Sequence, residues 1–414
     1  MEPRTLSKPQ RSASVKFIFA TILLDALGIG LLIPVMPDVI RRFSQDPQVV
    51  NTYFGYFVAV YALMQFVASP ILGSLSDRYG RRPVLLLSLL CAGLDYLLMV
   101  FSPNLWVLFL GRVISGLTGA SMTVASSYMA DVSTDENRSA NFGMIGAAWG
   151  MGFIFGPALG GLIGEYGFYW PFVLAAIMNL LNFAFGYFIL PESLPESLRR
   201  PLDASKLNPF ASLAKILRPS PISALVYVFF LLFLAGNSHP AIWTLYSEYK
   251  FDWSAQDVGL SLSFVGLTMA FSQGYLTRVV IPKFGERRSM MIGLVFYFIG
   301  FLCWALITQG WMVYVVSAAT ILAGITMPAL QSIVTAHVPA DRQGELQGSL
   351  ISLGSLAAIF APLLYTWLFT TFTGPNAVAE FPGMPYLVAG AICALCAPVL
   401  MIALRRLPVA GKAE

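Results

Sequence analysis

Of the 414 residues in this chain, 57% are hydrophobic and only 11% are charged, with a formal net charge of +4. Soluble globular domains carry about a quarter charged residues, so this composition excludes an ordinary soluble enzyme and predicts a polytopic membrane protein. The small positive excess falls in predicted loops, which favours a role in membrane orientation over nucleic-acid binding.

Twelve apolar segments are each about long enough to cross a bilayer, which takes roughly 20 residues of helix. They are predicted at residues 15–36, 53–75, 83–101, 104–127, 141–164, 168–190, 221–246, 257–281, 289–307, 311–336, 346–371 and 384–404. The predicted fold is an all-α membrane protein with twelve transmembrane helices in two six-helix, pseudo-symmetric halves. The predicted domains are a tail at 1–14, a bundle at 15–190, a linker at 191–220, a bundle at 221–404 and a tail at 405–414.

Lysine and arginine concentrate in every second connection between the predicted spans and in both tails. Residues 73–83 place Arg78, Arg81 and Arg82 in one tight turn, whereas the connections at 44–52 and 372–381 contain neither lysine nor arginine. Short cytoplasmic loops collect these residues, so both termini are predicted to be cytoplasmic.

Parts of the sequence recur at an offset close to half the chain. Residues 77–82, DRYGRR, are echoed by residues 282–288, PKFGERR, and residues 130–132, ADV, are echoed by residues 336–338, AHV. Six spans per half preserve orientation, so the halves are predicted to be parallel repeats. Transporters built from such repeats bind substrate near the membrane midplane, at the repeat interface.

Two acidic residues lie deep within predicted spans, Asp25 in the first and Asp95 in the third. A charged side chain at the bilayer centre costs roughly 2.5–3.5 kcal/mol in insertion assays, so each must face a cavity or a partner. Because a carboxyl group can bind and release a proton, both are candidates for proton coupling or substrate binding. The structural alternative is that hydrogen bonds from neighbouring spans hold them as packing residues.

Other polar side chains also fall on apolar segments. Arg112 is the only positive charge in the fourth predicted span, and it must either reach the membrane surface or find an acidic or carbonyl partner. Gln65, Gln273 and Gln331 suit interhelical hydrogen bonds and substrate contacts equally well. All four join the two carboxylates as candidate proton-coupling or substrate-binding residues.

The fifth predicted span carries a helix-packing motif of small residues. Its members are Gly152, Gly156, Pro157, Gly160, Gly161 and Gly164. Four of these glycines recur at every fourth residue, so they lie on one helical face and predict the close approach of another helix. The proline adds a local kink.

Several kinds of site find no support in the sequence. A GxxxxGK[ST] phosphate loop does not occur, so nothing indicates ATP-driven transport. Two histidines and four cysteines, the cysteines all within apolar segments, assemble neither a nucleophile triad nor a metal centre. We therefore predict no enzyme activity, no metal and no cofactor.

One part of the second half combines aromatic residues with a histidine. Trp243, Tyr246, Phe264 and Trp304 are candidates to line a hydrophobic pocket. His239, in the seventh predicted span, is interpreted as a neutral structural histidine, with a proton carrier as the alternative.

At three places the chain resembles the major facilitator superfamily. Gly73-x-x-x-Asp77-Arg78-x-Gly80-Arg81-Arg82 resembles the superfamily's signature loop. Residues 110–120, LGRVISGLTGA, resemble its fourth-span motif, and residues 150–161, GMGFIFGPALGG, resemble the fifth-span motif associated with drug/proton antiporters. The resemblance implies a role for Arg112 in proton coupling.

The signature loop carries an acid that the second repeat lacks, because Pro282 stands where the first repeat has Asp77. Membrane orientation explains the arginines of this loop but not its acid. We therefore predict a cytoplasmic gate formed by the loop and Arg138, in which Asp77 contacts a helix amino terminus or Arg138 in one state.

Nearly the whole chain resembles bacterial tetracycline-efflux proteins more closely. The similar stretches are residues 24–31, LDALGIGL, with Pro34 and Pro37; residues 61–65, YALMQ; residues 81–90; residues 94–98, LDYLL; and residues 328–331, PALQ. The resemblance implies proton-coupled efflux of amphipathic drugs, such as tetracycline-like or other hydrophobic antibiotics, by alternating access. It implies a multidrug or antibiotic-resistance transporter of the bacterial inner membrane, whose partners are a small-molecule substrate, protons and lipid. We expect it to act as a monomer.

Two charged positions of these exporters are not reproduced. Tetracycline exporters of this type carry a histidine on the eighth span and an acid on the ninth, both implicated in proton-coupled export. In this chain Met269 falls near the aligned histidine and Tyr297 near the aligned acid. The substrate therefore stays open.

Two alternatives come from other functional classes. The first is a proton-coupled importer or symporter of a specific metabolite, which the missing charges favour. The second is a transporter-like receptor or scaffold, against which the signature loop and the intramembrane acids argue.

Overall fold

The computed structural model describes residues 8–119, 121–134, 137–199, 222–338, 343–375 and 377–406. Most of the predicted linker at 191–220 and of the tail at 405–414 lies outside these ranges. Throughout the described ranges the regular structure is helical, without strands.

Seventeen α-helices follow one another in the described ranges. They are α1 Lys8–Leu32, α2 Met36–Arg41, α3 Pro47–Tyr79, α4 Arg81–Val100, α5 Leu105–Thr118, α6 Ser121–Val132, α7 Arg138–Gly164, α8 Trp170–Ile189, α9 Ser223–Gly236, α10 Ser238–Phe251, α11 Ala255–Phe271, α12 Thr277–Phe284, α13 Glu286–Leu306, α14 Met312–Ala319, α15 Thr326–Ala336, α16 Gln343–Thr371 and α17 Met384–Arg406. Short 3₁₀ helices lie at Glu196–Leu198 and Ile321–Ile325, and a π-helix lies at Ser272–Leu276.

In the described part of the chain, eleven helical stretches are long and apolar enough to cross a bilayer. A twelfth forms if Met312–Ala319 and Ile321–Ala336, which meet at a bend of 47°, make one span. The predicted all-α fold with twelve spans is confirmed. Among the boundaries that differ from the prediction is the end of the first span, which lies at Leu32 rather than at residue 36. Proline lacks a backbone N–H, and Pro34 and Pro37 stop the first helix and start the next.

The chain divides into two compact units. The first unit comprises Met1–Gln45, Val60–Pro209 and Ser254–Ser263, and the second comprises Asp46–Ala59, Phe210–Trp253 and Phe264–Glu414. Helices α3 and α11 each contribute residues to both units. The division into bundles at 15–190 and 221–404 stays a prediction.

Helices α1 and α7 form the most extensive helix pair of the first unit, and α4 packs along α8. The glycine stripe of α7 explains the close approach of α1. A Cβ atom added to Gly156 would lie 2.8 Å from the Cα of Gly30, and Gly152 and Gly160 also face α1. Gly161 instead faces the start of α11, which belongs to the same unit. A side chain at Gly156 would force α1 and α7 apart, so glycine is required there.

In the second unit, α17 packs against α9 and α13, and α13 also packs against α15. Large aromatic side chains of this unit are fully buried, among them Tyr246 of α10, Tyr365 of α16 and Tyr386 of α17. This aromatic core adjoins a cavity.

Candidate functional site

A cavity within the first unit, here called the first cavity, is lined by two of the predicted polar residues, Asp25 and Gln65. Asp25 of α1, Gln65 of α3 and Ser115 of α5 line it, together with Tyr61 and Asn179. The Nε2 atom of Gln65 donates a hydrogen bond of 3.0 Å to a backbone carbonyl, which holds this side chain at the cavity wall. Asp25 therefore lines a cavity that polar and apolar side chains share.

A buried chain of polar groups connects Arg112 to Asp95. The Asp95 and Arg112 residues are 2% and 9% exposed. The Ser115 hydroxyl donates a hydrogen bond to Oδ2 of Asp95 and accepts one of 3.2 Å from Nη2 of Arg112. The guanidinium also contacts the sulfur of Met99 at 3.3 Å and lies over the ring of Tyr61 at 5.6 Å. One serine thus joins two buried charges of opposite sign.

This chain is not fully satisfied by hydrogen bonds. Oδ1 of Asp95 and Nε of Arg112 are buried and have no hydrogen-bond partner among the residues described. Buried charged groups with missing partners are costly, and in native structures they call for an explanation. Ser115 also lines the first cavity. A change of charge at Asp95 therefore alters the hydrogen bonding of a residue on the cavity wall.

The signature loop forms a second polar cluster, here called the loop network and made of Asp77, Arg81, Asp131 and Glu192. The guanidinium of Arg81 is 2.6 Å from a carboxylate oxygen of Asp77 and 3.2 Å from one of Asp131. The partner of Asp77 is therefore an arginine of the same loop. The side chain of Arg138, the other predicted partner, lies outside the described residues.

Glu192 meets the amino terminus of α4. The backbone N–H groups of Arg81 and Arg82 donate to its two carboxylate oxygens at 2.9 and 3.2 Å. The first N–H groups of a helix have no partner within it and carry partial positive charge, so a carboxylate is stabilised there. Gly80, with φ of 105°, precedes them, and a Cβ atom there would collide with this carboxylate. The loop therefore requires glycine for its backbone and for contact with Glu192.

A second cavity, within the second unit, has a different character. It has a volume of about 180 Å³, and its lining includes His239, Met269, Tyr297 and Trp304. Met269 and Tyr297, predicted from the sequence to stand near the positions of the histidine and the acid of tetracycline exporters, both line this cavity. No lining residue of this cavity is charged.

The two remaining predicted glutamines lie away from these cavities. Gln273 is exposed in the π-helix that follows α11. Gln331 is also exposed and donates a hydrogen bond of 3.1 Å to Gln347. Neither lines the first or the second cavity, so their part in substrate binding stays a prediction.

Comparison with known proteins decides the family. Residues 18–362, and again residues 240–414, match the model of the Major Facilitator Superfamily. The chain belongs to the major facilitator superfamily. The cavities and the signature loop described above therefore belong to a multi-pass member of this superfamily.

Within the superfamily the chain is similar to named drug-resistance proteins. It is 39% identical to the class C tetracycline resistance protein of Escherichia coli over 92% of this chain and 95% of that protein. It is 42% identical to the class E protein of Escherichia coli over 86% of this chain and 88% of that one. The crystal structure of the human organic anion transporter MFSD10 matches with a TM-score of 0.68 and 25% identity, covering 95% of this chain and 100% of that one. The resemblance drawn from the sequence is confirmed.

Three residues of these superfamily sites escaped the sequence analysis. The sequence could have indicated Ser115, because it lies three residues after Arg112 and therefore on the same face of α5. The sequence does not indicate the contacts of Asp131 and Glu192 with the signature loop, because the residues that they contact are 50 and about 110 positions away. Only folding brings them to Arg81.

We predict that Glu192→Ala loosens the start of α4. Removing a capping group costs about 0.5–2 kcal/mol, so the amide protons of Arg81 and Arg82 should exchange roughly 2- to 30-fold faster. Hydrogen–deuterium exchange with mass spectrometry on peptides that span residues 79–87 measures this.

The matched control is Glu196→Ala. Its side chain is 89% exposed and its nearest cation, Arg199, is 3.9 Å away, so the exchange of the same peptides should not change. Equal exchange in both variants would show that Glu192 does not cap α4.

Proposed function

We propose that the protein is a proton-coupled exporter of amphipathic drugs, including tetracycline-like or other hydrophobic antibiotics, that works by alternating access. One observation carries the proposal: Asp25 lines the first cavity, and the buried chain from Arg112 to Asp95 reaches the same cavity through Ser115. Ionisable residues within membrane spans mark substrate and proton pathways. The names of the class C and class E relatives support tetracycline-like substrates.

In this proposal the two carboxyl groups have related roles. Protonation of Asp25 removes a negative charge from the cavity wall, and protonation of Asp95 leaves the charge of Arg112 uncompensated. Each change alters the interactions that favour one conformation over another, which is the physical requirement for coupling.

The loop network supplies the proposed gate. In this network Arg81 lies between Asp77 and Asp131, and Glu192 caps the neighbouring helix terminus. These contacts can break and re-form together when the protein changes conformation. We place it on the cytoplasmic side of the bacterial inner membrane, with both termini on that side, because short cytoplasmic loops collect arginine. The transporter acts as a monomer and has no enzyme activity.

Transport by the purified protein tests the proposal. Proteoliposomes are given a pH gradient, and the movement of tetracycline and of unrelated hydrophobic drugs is measured together with proton release. Uphill drug movement with protons moving in the opposite direction supports the exporter. Movement of drug and protons in the same direction contradicts it in favour of a symporter, and no flux of any compound contradicts drug transport.

A further inference from the structure

Asp95 lies behind the wall of the first cavity rather than on it. Ser115 lines the cavity, as does Tyr96, the residue after Asp95 in α4, whereas Asp95 does not. The Oδ1 atom of Asp95 is buried and has no hydrogen-bond partner among the described residues. This atom faces the backbone of α5, because a Cβ atom added to Gly111 would lie 3.1 Å from it. The oxygen through which Asp95 can exchange a proton with the cavity is therefore Oδ2.

The hydroxyl group of Ser115 connects Oδ2 of Asp95 to the first cavity. It donates its proton to Oδ2 and accepts a hydrogen bond of 3.2 Å from Nη2 of Arg112. A serine hydroxyl has one proton and two lone pairs, so one lone pair is left for a further donor. Because Ser115 lines the cavity, a water molecule there can be that donor. One serine therefore completes a hydrogen-bonded path from the cavity to Asp95.

The size and lining of the first cavity suit water rather than a drug in this conformation. Its volume is about 40 Å³, which exceeds the roughly 10–15 Å³ that one water molecule needs. Pockets that bind drug-sized ligands are much larger, at roughly 300–1,000 Å³. A buried water makes about 2–4 hydrogen bonds, and the polar residues on the wall include Asp25, Tyr61, Gln65 and Asn179. Water in this cavity can therefore connect Asp25 with Ser115.

Several helices contribute charged or titratable side chains around Asp95 and the first cavity. They are Asp25 of α1, Tyr61 of α3, Arg112 of α5, and Cys91 and Tyr96 of α4 itself. Among the described residues, Asp25 is the carboxyl group on the cavity wall. It is therefore the acid that can exchange a proton with Asp95 along this path.

We propose that Ser115 relays protons between the water of the first cavity and Asp95. A proton that leaves Asp25 travels through water and binds to the oxygen of Ser115, while the hydroxyl's own proton passes to Oδ2 of Asp95. One O–H bond forms at the serine as another breaks. Asp25 becomes a carboxylate, Asp95 becomes a carboxylic acid, and Ser115 is unchanged once its hydroxyl has rotated. This inference deepens the export proposal and rests on it, because it names the group that connects the two proton-coupling residues.

Time-resolved infrared spectroscopy after a rapid drop in pH tests the relay. The purified protein is measured in detergent without drug, and the C=O stretching band of protonated Asp95 is assigned by its frequency shift in Asp95→Glu, which keeps a carboxyl group. Ser115→Ala removes the hydroxyl, so this band should appear about 100-fold more slowly than in the wild type. Ser115→Thr restores the hydroxyl and should restore the rate. An unchanged rate in Ser115→Ala would overturn the proposal.

Ser88→Ala is the matched control. Ser88 is buried and lines the same cavity, but the hydroxyl bonded to Asp95 is that of Ser115, so the rate in Ser88→Ala should equal that of the wild type. Equal slowing in Ser88→Ala and Ser115→Ala, or a rate in Ser115→Thr as slow as in Ser115→Ala, would also contradict the relay. Because no drug is present, failure of the relay appears in the infrared rates, whereas failure of the export proposal appears as absent flux in proteoliposomes.

Discussion

Asp25→Asn is expected to abolish uphill drug export while the protein still folds and inserts. Asparagine has nearly the same size and keeps one carbonyl oxygen at the first cavity, but an amide does not bind and release a proton. With one proton exchanged per drug and a gradient of about one pH unit, the wild type should accumulate drug about tenfold. The variant should equilibrate drug without accumulation, as measured in proteoliposomes.

Drug-for-drug exchange without a gradient separates loss of coupling from loss of folding. Asp25→Asn should retain this exchange, because no net proton movement is required. Asp252→Asn is the matched control. Asp252 is exposed and ends α10 in the left-handed conformation, with φ of 54°, which asparagine adopts readily. Undiminished accumulation against a gradient by Asp25→Asn would refute proton coupling at this residue.

Asp95→Asn is expected to be strongly destabilising, because it leaves the buried charge of Arg112 without its negative counterpart. Asp95 and Arg112 are bridged by Ser115 rather than in direct contact, so the cost of removing one partner of a buried ion pair, about 3–5 kcal/mol, is the upper limit for this loss. Arg112→Gln should cost a similar amount, because it strands the carboxylate instead. Chemical denaturation of the purified protein in detergent measures both losses of unfolding free energy.

The double variant Asp95→Asn/Arg112→Gln decides whether the two charges act as a pair. If Ser115 couples them, the double variant should be more stable than the sum of the two single losses predicts, by about 0.5–3 kcal/mol. Arg41→Gln is the control for arginine removal. Arg41 forms a 2.7 Å pair with Asp38 in which both side chains are about 40% exposed, so its loss should cost no more than about 1 kcal/mol. Strict additivity at Asp95 and Arg112 would contradict the coupling.

The helical fold was open to prediction because each span carries its own signal. A bilayer-spanning helix satisfies its backbone hydrogen bonds internally, so about 20 consecutive apolar residues predict a span without any tertiary information. The end of the first span was less predictable, since two prolines three residues apart allow either a kink or a stop. The glycine stripe predicted the close approach of a helix but not that the neighbour would be α1.

The candidate site divides in the same way. Asp25, Asp95 and Arg112 stood out because placing a charged side chain within a membrane span costs free energy, whichever helix face carries it. Gln331 stood out because a polar amide in an apolar segment needs a hydrogen-bond partner. It bonds to Gln347, a partner that hydrogen-bonding capacity alone does not indicate.

The sequence by itself determined the class of protein, the number of spans and the buried charges. The free-energy cost of placing a polar group in hydrocarbon depends on the individual residue and segment, so it can be assessed without tertiary information. Only the tertiary structure decided the connections: that Ser115 joins Arg112 to Asp95, that Glu192 caps α4, and that His239 packs against Trp243 and Trp304 beside the second cavity. These contacts join residues from different helices or loops, and the distance between such residues depends on how the helices pack rather than on any local pattern.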